Sequence, residues 1–192
     1  MTALVLASGS PRRYELLQLL DRPFTVVRPD IPEQRSARET PIAYVQRLAA
    51  QKAEAGSRLC EQGAMVLGAD TIVVCDQQVL EKPRGQTDFA NMMELLSGRS
   101  HQAITAVALH YRQRTSVTTA MATVTFKPLS PEEIRAYWAS GEPADKAGGY
   151  GIQGRAAKFV TKVEGSYLAV VGLPLYETEQ LIVQAEGEPD ER

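Results

Sequence analysis

Basic residues hold no majority in this chain. Its 192 residues carry 21 Lys and Arg against 23 Asp and Glu, a formal net charge of −2. A surface that grips DNA or RNA by its phosphates carries a basic surplus, so nucleic acid is not expected as a partner. A small basic pocket for a single nucleotide is still allowed. Cysteine is scarce: Cys60 and Cys75 each follow an aliphatic residue, Leu59 and Val74, and read as reduced, partly buried thiols rather than a disulfide framework. No apolar run reaches the ~18 residues of a membrane span. Met1-Thr2-Ala3-Leu4-Val5-Leu6-Ala7-Ser8 has no positive n-region and too short an apolar stretch for a signal peptide. A soluble, cytoplasmic protein with no membrane partner is therefore expected. No G-x-S-x-G occurs, no Cys/His spacing suits zinc, and neither His101 nor His110 has an evident nucleophile beside it.

What is present is ordinary globular composition, 44% hydrophobic and 23% charged, arranged as alternating strands and helices. Leu4 to Ala7 reads as a buried strand stopped by Ser8-Gly9-Ser10-Pro11, and a helical pattern follows from Arg12. Phe24 to Val27 reads as a second strand, followed by a polar loop through Asp30-Ile31-Pro32-Glu33. Thr40-Pro41 and Ser130-Pro131 are N-cap and proline pairs that open helices. Met65 to Leu67 and Ile72 to Val74 read as strand interrupted by Gly68-Ala69-Asp70-Thr71, and a helix spans Asp88 to Leu96. Ala103 to Tyr111 and Ser116 to Phe126 form two β-branched strands, a hairpin that makes the sheet mixed. Asp145 to Gly154, rich in glycine, is a loop. Phe159 to Val163 and Leu168 to Val171 read as strands, and Leu173 to Ala185 as a closing helix. The class is α/β with a mixed twisted sheet. Residues 1–185 form one domain, and 186–192 form a charged, frayed tail.

The chemistry concentrates in a few places. Ser8-Gly9-Ser10-Pro11-Arg12-Arg13 joins a strand end to a helix N-terminus, which suits an anion, and two arginines in a first turn oppose the helix dipole unless something negative lies near. The segment matches neither G-x-x-x-x-G-K-[ST] nor G-x-G-x-x-G, and an exposed basic helix start is the alternative. Asp70 is embedded in an apolar run, where a carboxylate is costly without a partner. It either accepts hydrogen bonds from a nearby turn or works as a base or metal ligand. Glu33 is either a solvated loop acid or a second carboxylate sharing a divalent ion. Lys52, Lys82 and Lys146 are each unremarkable alone, yet together they would neutralise a polyphosphate. Gln153, in the glycine loop, offers a donor and an acceptor to a base edge. The inventory is one of metal and phosphate chemistry.

The order of these motifs resembles the Maf family of house-cleaning nucleoside triphosphate pyrophosphatases. The resemblance rests on Leu6-Ala7-Ser8-Gly9-Ser10-Pro11-Arg12-Arg13, Glu33, Lys52-Ala53, Gly68-Ala69-Asp70-Thr71, Lys82-Pro83, Ser97-Gly98 with His101 and Thr105, the loop from Asp145 to Gly154, and Gly172-Leu173-Pro174. It covers residues 4 to about 183. It implies a two-lobed α/β fold with a central cleft, similar to inosine triphosphatases, and commonly a homodimer. The implied reaction is hydrolysis between the α- and β-phosphates with a divalent cation such as Mg²⁺, Mn²⁺ or Co²⁺. By position Asp70 is then the general base and, with Glu33, a metal ligand. Ser8, Ser10, Arg13, Lys52 and Lys82 hold the triphosphate. Arg12, Thr71 and Gln153 match the branch that prefers dTTP and UTP over 7-methyl-GTP. Two departures are visible: Pro32 precedes Glu33 where many relatives carry an acid, and Glu81 precedes Lys82 where glycine is usual. They bear on metal affinity and rate. The alternative implied by the family's association with division arrest is a nucleotide-binding regulator of septum formation without significant turnover.

Overall fold

The computed structural model describes residues 2–187. Within them the chain runs β1 (Leu4–Ala7), α1 (Pro11–Gln18), β2 (Phe24–Val27), α2 (Pro41–Ser57), β3 (Met65–Cys75), β4 (Gln78–Leu80), α3 (Gln86–Leu96), β5 (Ser100–Tyr111), β6 (Arg114–Phe126) and α4 (Pro131–Ala139). Short 3-10 turns follow at Glu142–Asp145, Ala147–Gly149 and Arg155–Phe159, then β7 (Val160–Gly165), α5 (Tyr167–Val171) and α6 (Leu175–Gly187). The strands form a mixed sheet in the order β2-β1-β3-β5-β6-β7, with β4 paired to β3 beside this path. β1 runs parallel to both β2 and β3, while β4 on β3 and β7 on β6 are antiparallel. The expected α/β class with a mixed sheet is thus the observed one. Among the described residues no helix is long and apolar enough to cross a membrane.

Three helices begin by one device. Ser10, Thr40 and Ser130 each stand at an N-cap in extended backbone, each is followed by proline, and each side chain accepts from the backbone N–H three residues on. The hydroxyl satisfies an otherwise orphaned N–H, and proline costs nothing where no N–H is needed. At Ser130 the Glu133 carboxylate returns the bond to the Ser130 N–H at 3.1 Å, completing a capping box.

Several boundaries differ from the sequence expectation. β3 is continuous, so Gly68-Ala69-Asp70-Thr71 lies inside a strand rather than interrupting one. β4 carries few apolar residues to announce it, and it is made by a two-residue turn, Asp76-Gln77, with φ of 48° and 65°. Such a left-handed pair matches the twist of a hairpin, although glycine would adopt it with less strain. Leu168 to Val171 is helical, not strand: after Gly165 at φ 105°, the Ser166 hydroxyl accepts from Ala169 N–H at 3.2 Å and starts α5. The closing helix extends to Gly187, which takes Glu186 out of the expected tail. Residues 188–192 of that tail lie outside the described residues.

The chain divides into two compact units. Of the described residues, one takes 2–70, Thr105–Ala120 and 172–187. Its core is mainly aliphatic, with Leu6, Leu17, Val45, Leu48, Leu67 and Leu173 buried. The other takes Thr71–Ile104 and Met121–Val171. Its core is aromatic: Phe126 sits 4.8 Å from Tyr150 and 6.0 Å from Phe159, and Phe159 sits 5.4 Å from Tyr137, all close to edge-on.

Candidate active site

In the first unit, a strand face and a helix meet more closely than side chains would normally allow. Gly68 and Asp70 share one face of β3, because alternate residues of a strand point the same way. A Cβ on Gly68 would lie 2.3 Å from the Ala49 carbonyl oxygen and 2.5 Å from the Ala53 nitrogen. The missing side chain lets the backbone of α2 rest on β3. Lys52, on that turn of α2, places Nζ 2.6 Å from Asp70 Oδ1. The same ammonium stands 2.7 Å from Glu33 Oε1. The loop that carries Glu33 is held by the Tyr44 hydroxyl, which donates to the Glu33 carbonyl at 3.3 Å. One cation therefore joins two carboxylates that are far apart in sequence.

Asp70 is only 7% exposed. Removing a carboxylate from water costs several kcal/mol unless a partner compensates. Burial is the strongest influence on it and pushes its pKa above the usual carboxylate range. Lys52 and then Arg13 pull the other way, and Glu33 adds a little to the rise. A desolvated carboxylate with a raised pKa is a stronger base than one in water, and the cations beside it favour its charged form.

The first turn of α1 and the residues just before it lie in the same unit. Ser8 Oγ accepts from the Ser10 N–H at 3.2 Å and from Arg13 Nη1 at 3.5 Å. Arg13 Nε donates to the Gly172 carbonyl at 2.8 Å. Burial, above all, lowers the Arg13 pKa, and Arg12 lowers it further, while Asp70 and Glu33 oppose the shift. Ser8, Ser10, Arg13, Lys52, Asp70 and Glu33 are thus brought together in one unit, with Arg12 beside them. Arg13 and Lys52 act on the Asp70 carboxylate, and Arg12 adds positive charge beside Arg13 in the first turn of α1.

Thr71, Lys82 and Gln153 belong to the second unit. Lys82 is exposed after β4, and its neighbour Glu81 accepts from the Gly148 N–H at 3.1 Å through its carbonyl. That bond ties the Lys82 segment to the glycine loop. Gly148 and Gly149 adopt φ of 68° and 72°. A Cβ on either would lie under 3 Å from a side-chain atom, of Val73 and Phe89 respectively, so glycine is required on both counts. Gln153 is exposed near the end of this loop. Lys146 turns its ammonium inward to the Glu142 carbonyl at 2.7 Å and Asp145 Oδ1 at 2.8 Å, so it braces the loop. Sequence reasoning missed Tyr137 and Glu142, which bind the same loop. Neither sits in a recognisable motif, and only the folded chain brings them there.

His101 is buried, with Nε2 2.7 Å from the Tyr150 hydroxyl, and burial lowers its pKa to about 4. Its other ring nitrogen is buried without a hydrogen-bond partner. His101 is a neutral core residue of the aromatic unit. Cys60 and Cys75 are both free thiols, half-buried and buried.

A sheet of this order, with carboxylate, lysine and arginine gathered on β3, α2 and α1, defines an α/β protein with a partly buried charged cluster. The chain belongs to the Maf family: the family model described as Maf-like protein matches residues 3–185. It is 56% identical over 182 residues to the dTTP/UTP pyrophosphatase of Vibrio cholerae, covering 95% of this chain and 97% of that one. It is 54% identical over 192 residues to the dTTP/UTP pyrophosphatase of Salmonella typhimurium, covering 100% and 98%. Among solved structures the Ham1 protein of Staphylococcus aureus superposes with a TM-score of 0.54 over 96% of this chain and 100% of its own, at 10% identity. That likeness is one of fold.

Proposed function

We propose that this protein is a nucleoside triphosphate pyrophosphatase that hydrolyses the α–β phosphate anhydride of dTTP and UTP, releasing the monophosphate and pyrophosphate. The observation that carries the reading is the buried Asp70 carboxylate held 2.6 Å from Lys52 beside Arg13 and the N-terminus of α1. Anhydride hydrolysis needs a positioned water, a base and charge neutralisation, and no covalent nucleophile. Asp70 takes the proton of the attacking water. Ser8, Ser10, Arg13, Lys52 and Lys82 hold the triphosphate. The shared names of relatives above 50% identity support the same substrate class.

A divalent cation suits the donor chemistry. Glu33 and Asp70 already share one ammonium, so these two carboxylates would hold a hard divalent cation of the kind that prefers oxygen ligands. Bound there, it would polarise the phosphoryl oxygens and neutralise charge developing on pyrophosphate. Lys52 would supply an ammonium for a phosphate oxygen of the nucleotide.

Base preference falls to Arg12, Thr71 and Gln153. The Gln153 amide can donate to O4 of uracil or thymine and accept from N3–H. A regulator that binds nucleotide without turnover would have no use for a desolvated carboxylate beside the phosphate-binding cations, and turnover is the reading adopted. A homodimer and a cytoplasmic setting accompany the family reading. The direct test is a panel of dTTP, UTP, CTP, GTP and 7-methyl-GTP with Mg²⁺ or Mn²⁺, with products separated by chromatography. Monophosphate and pyrophosphate from dTTP and UTP are expected. Nucleotide bound without product would return the protein to the regulator class.

A further inference from the structure

Gln153 has a backbone fixed on both sides by one buried tyrosine and one carboxylate, Tyr137 and Glu142. The Tyr137 hydroxyl donates to Glu142 Oε1 at 2.8 Å and accepts from the Gly151 N–H at 3.1 Å. The Glu142 carboxylate also accepts from the Arg155 N–H, at 3.1 Å to Oε1 and 3.0 Å to Oε2. Gly151 and Arg155 are the residues two before and two after Gln153. Between them, a Cβ on Gly154 would lie 2.2 Å from Glu142 Oε1, so the carboxylate is seated against the loop backbone itself. Tyr137 is 3% exposed, and its ring lies against Phe159 at 5.4 Å and Phe89 at 5.9 Å. The hydroxyl is therefore carried by a ring packed into the aromatic core.

A side-chain amide carries its donor and acceptor side by side. It fits the O4 and N3–H edge of uracil, and after half a turn it fits the N4 and N3 edge of cytosine. Preference for one over the other then depends on how firmly the amide is aimed, because a loosely held group adapts to both. We infer that Tyr137 and Glu142 are positioning residues for base selection, acting through the backbone that carries Gln153. The inference rests on the pyrimidine-reading role of Gln153 proposed above.

The test uses the full-length protein and compares kcat/KM for UTP and CTP in wild type, Tyr137→Phe, Glu142→Gln, Gln153→Ala and the double variant Tyr137→Phe/Gln153→Ala, each with a thermal melt. Tyr137→Phe keeps the ring in its core, and Glu142→Gln keeps the shape of the acid. Each should reduce the UTP to CTP preference by about three- to tenfold, chiefly by raising KM for UTP. The double variant should select no worse than Gln153→Ala alone. If Tyr137→Phe and Glu142→Gln lower the melting temperature and leave the preference unchanged while Gln153→Ala moves it, the inference is overturned and the role of Gln153 stands. If Tyr137→Phe moves the preference and Gln153→Ala does not, the loop selects the base through another residue, and the role of Gln153 falls. A preference moved by none of them overturns both.

Discussion

Lys52 Nζ lies 2.6 Å from Asp70 Oδ1, and the same ammonium reaches Glu33 Oε1 at 2.7 Å. This pairing favours the charged form of a poorly solvated carboxylate, and on the function proposed above it sets a phosphate-binding cation directly beside a base. Asp70 and Lys52 are each ordinary residue types. Their chemistry comes from the absence of a side chain at Gly68, which brings α2 onto β3.

Lys52→Ala should therefore affect more than phosphate affinity. With its ammonium gone, Asp70 and Glu33 lose the cation they share, and a buried acid without a partner is costly. We expect kcat/KM for UTP to fall by at least about a hundredfold, with kcat lowered and KM raised. Steady-state kinetics on the folded variant decides it. A rise in KM alone would mean that Lys52 only binds phosphate.

Gly68→Ala tests the close approach. The added methyl would lie 2.3 Å from the Ala49 carbonyl oxygen, backbone that cannot swing aside. Overpacking of this kind costs about 1–3 kcal/mol, and here it would also carry Lys52 away from Asp70. Denaturant melts and kcat/KM should both decline, and unchanged turnover would separate the packing from the chemistry.

His101 predicts a pH effect on stability alone. Its folded pKa is lowered to about 4, against about 6.5 in the unfolded chain, so the folded ring is neutral. Between these values the unfolded state binds the extra proton, and stability falls as pH drops from 6.5 towards 4, by about 3 kcal/mol in all. His101→Gln should flatten that slope in urea melts at pH 7, 5.5 and 4.5. An equal slope in both proteins would place the acid sensitivity elsewhere.

Gln153→Glu addresses the base. A carboxylate cannot donate to O4 of a pyrimidine, so kcat/KM for dTTP and UTP should drop about tenfold or more, with the nucleotide profile altered. An unchanged profile across dTTP, UTP and 7-methyl-GTP would remove Gln153 from base reading.

Much of this was legible in the sequence because the signals were local. Ser10-Pro11, Thr40-Pro41 and Ser130-Pro131 mark helix starts whose caps form as expected. The mixed sheet followed from two long β-branched runs joined by a short turn. The pairing of Lys52 with both Asp70 and Glu33 is carried by no local signal: its cause is the contact of Gly68 with Ala49 and Ala53, which no periodicity contains. Gly68-Ala69-Asp70-Thr71 looked like a break because glycine and aspartate are poor strand formers, but an interior strand with a helix seated on its glycine overrides that preference. Tyr137 and Glu142 were invisible for a related reason: their partners, Gly151 and Arg155, are backbone groups in a different segment.

The most direct measurement is turnover of UTP by wild type and by Asp70→Asn, with nucleotide affinity measured on the same samples by calorimetry. The account predicts UMP and pyrophosphate from wild type, a kcat lowered by about a thousandfold or more in Asp70→Asn, and a dissociation constant changed only a few-fold. Turnover by Asp70→Asn at the wild-type rate would contradict it.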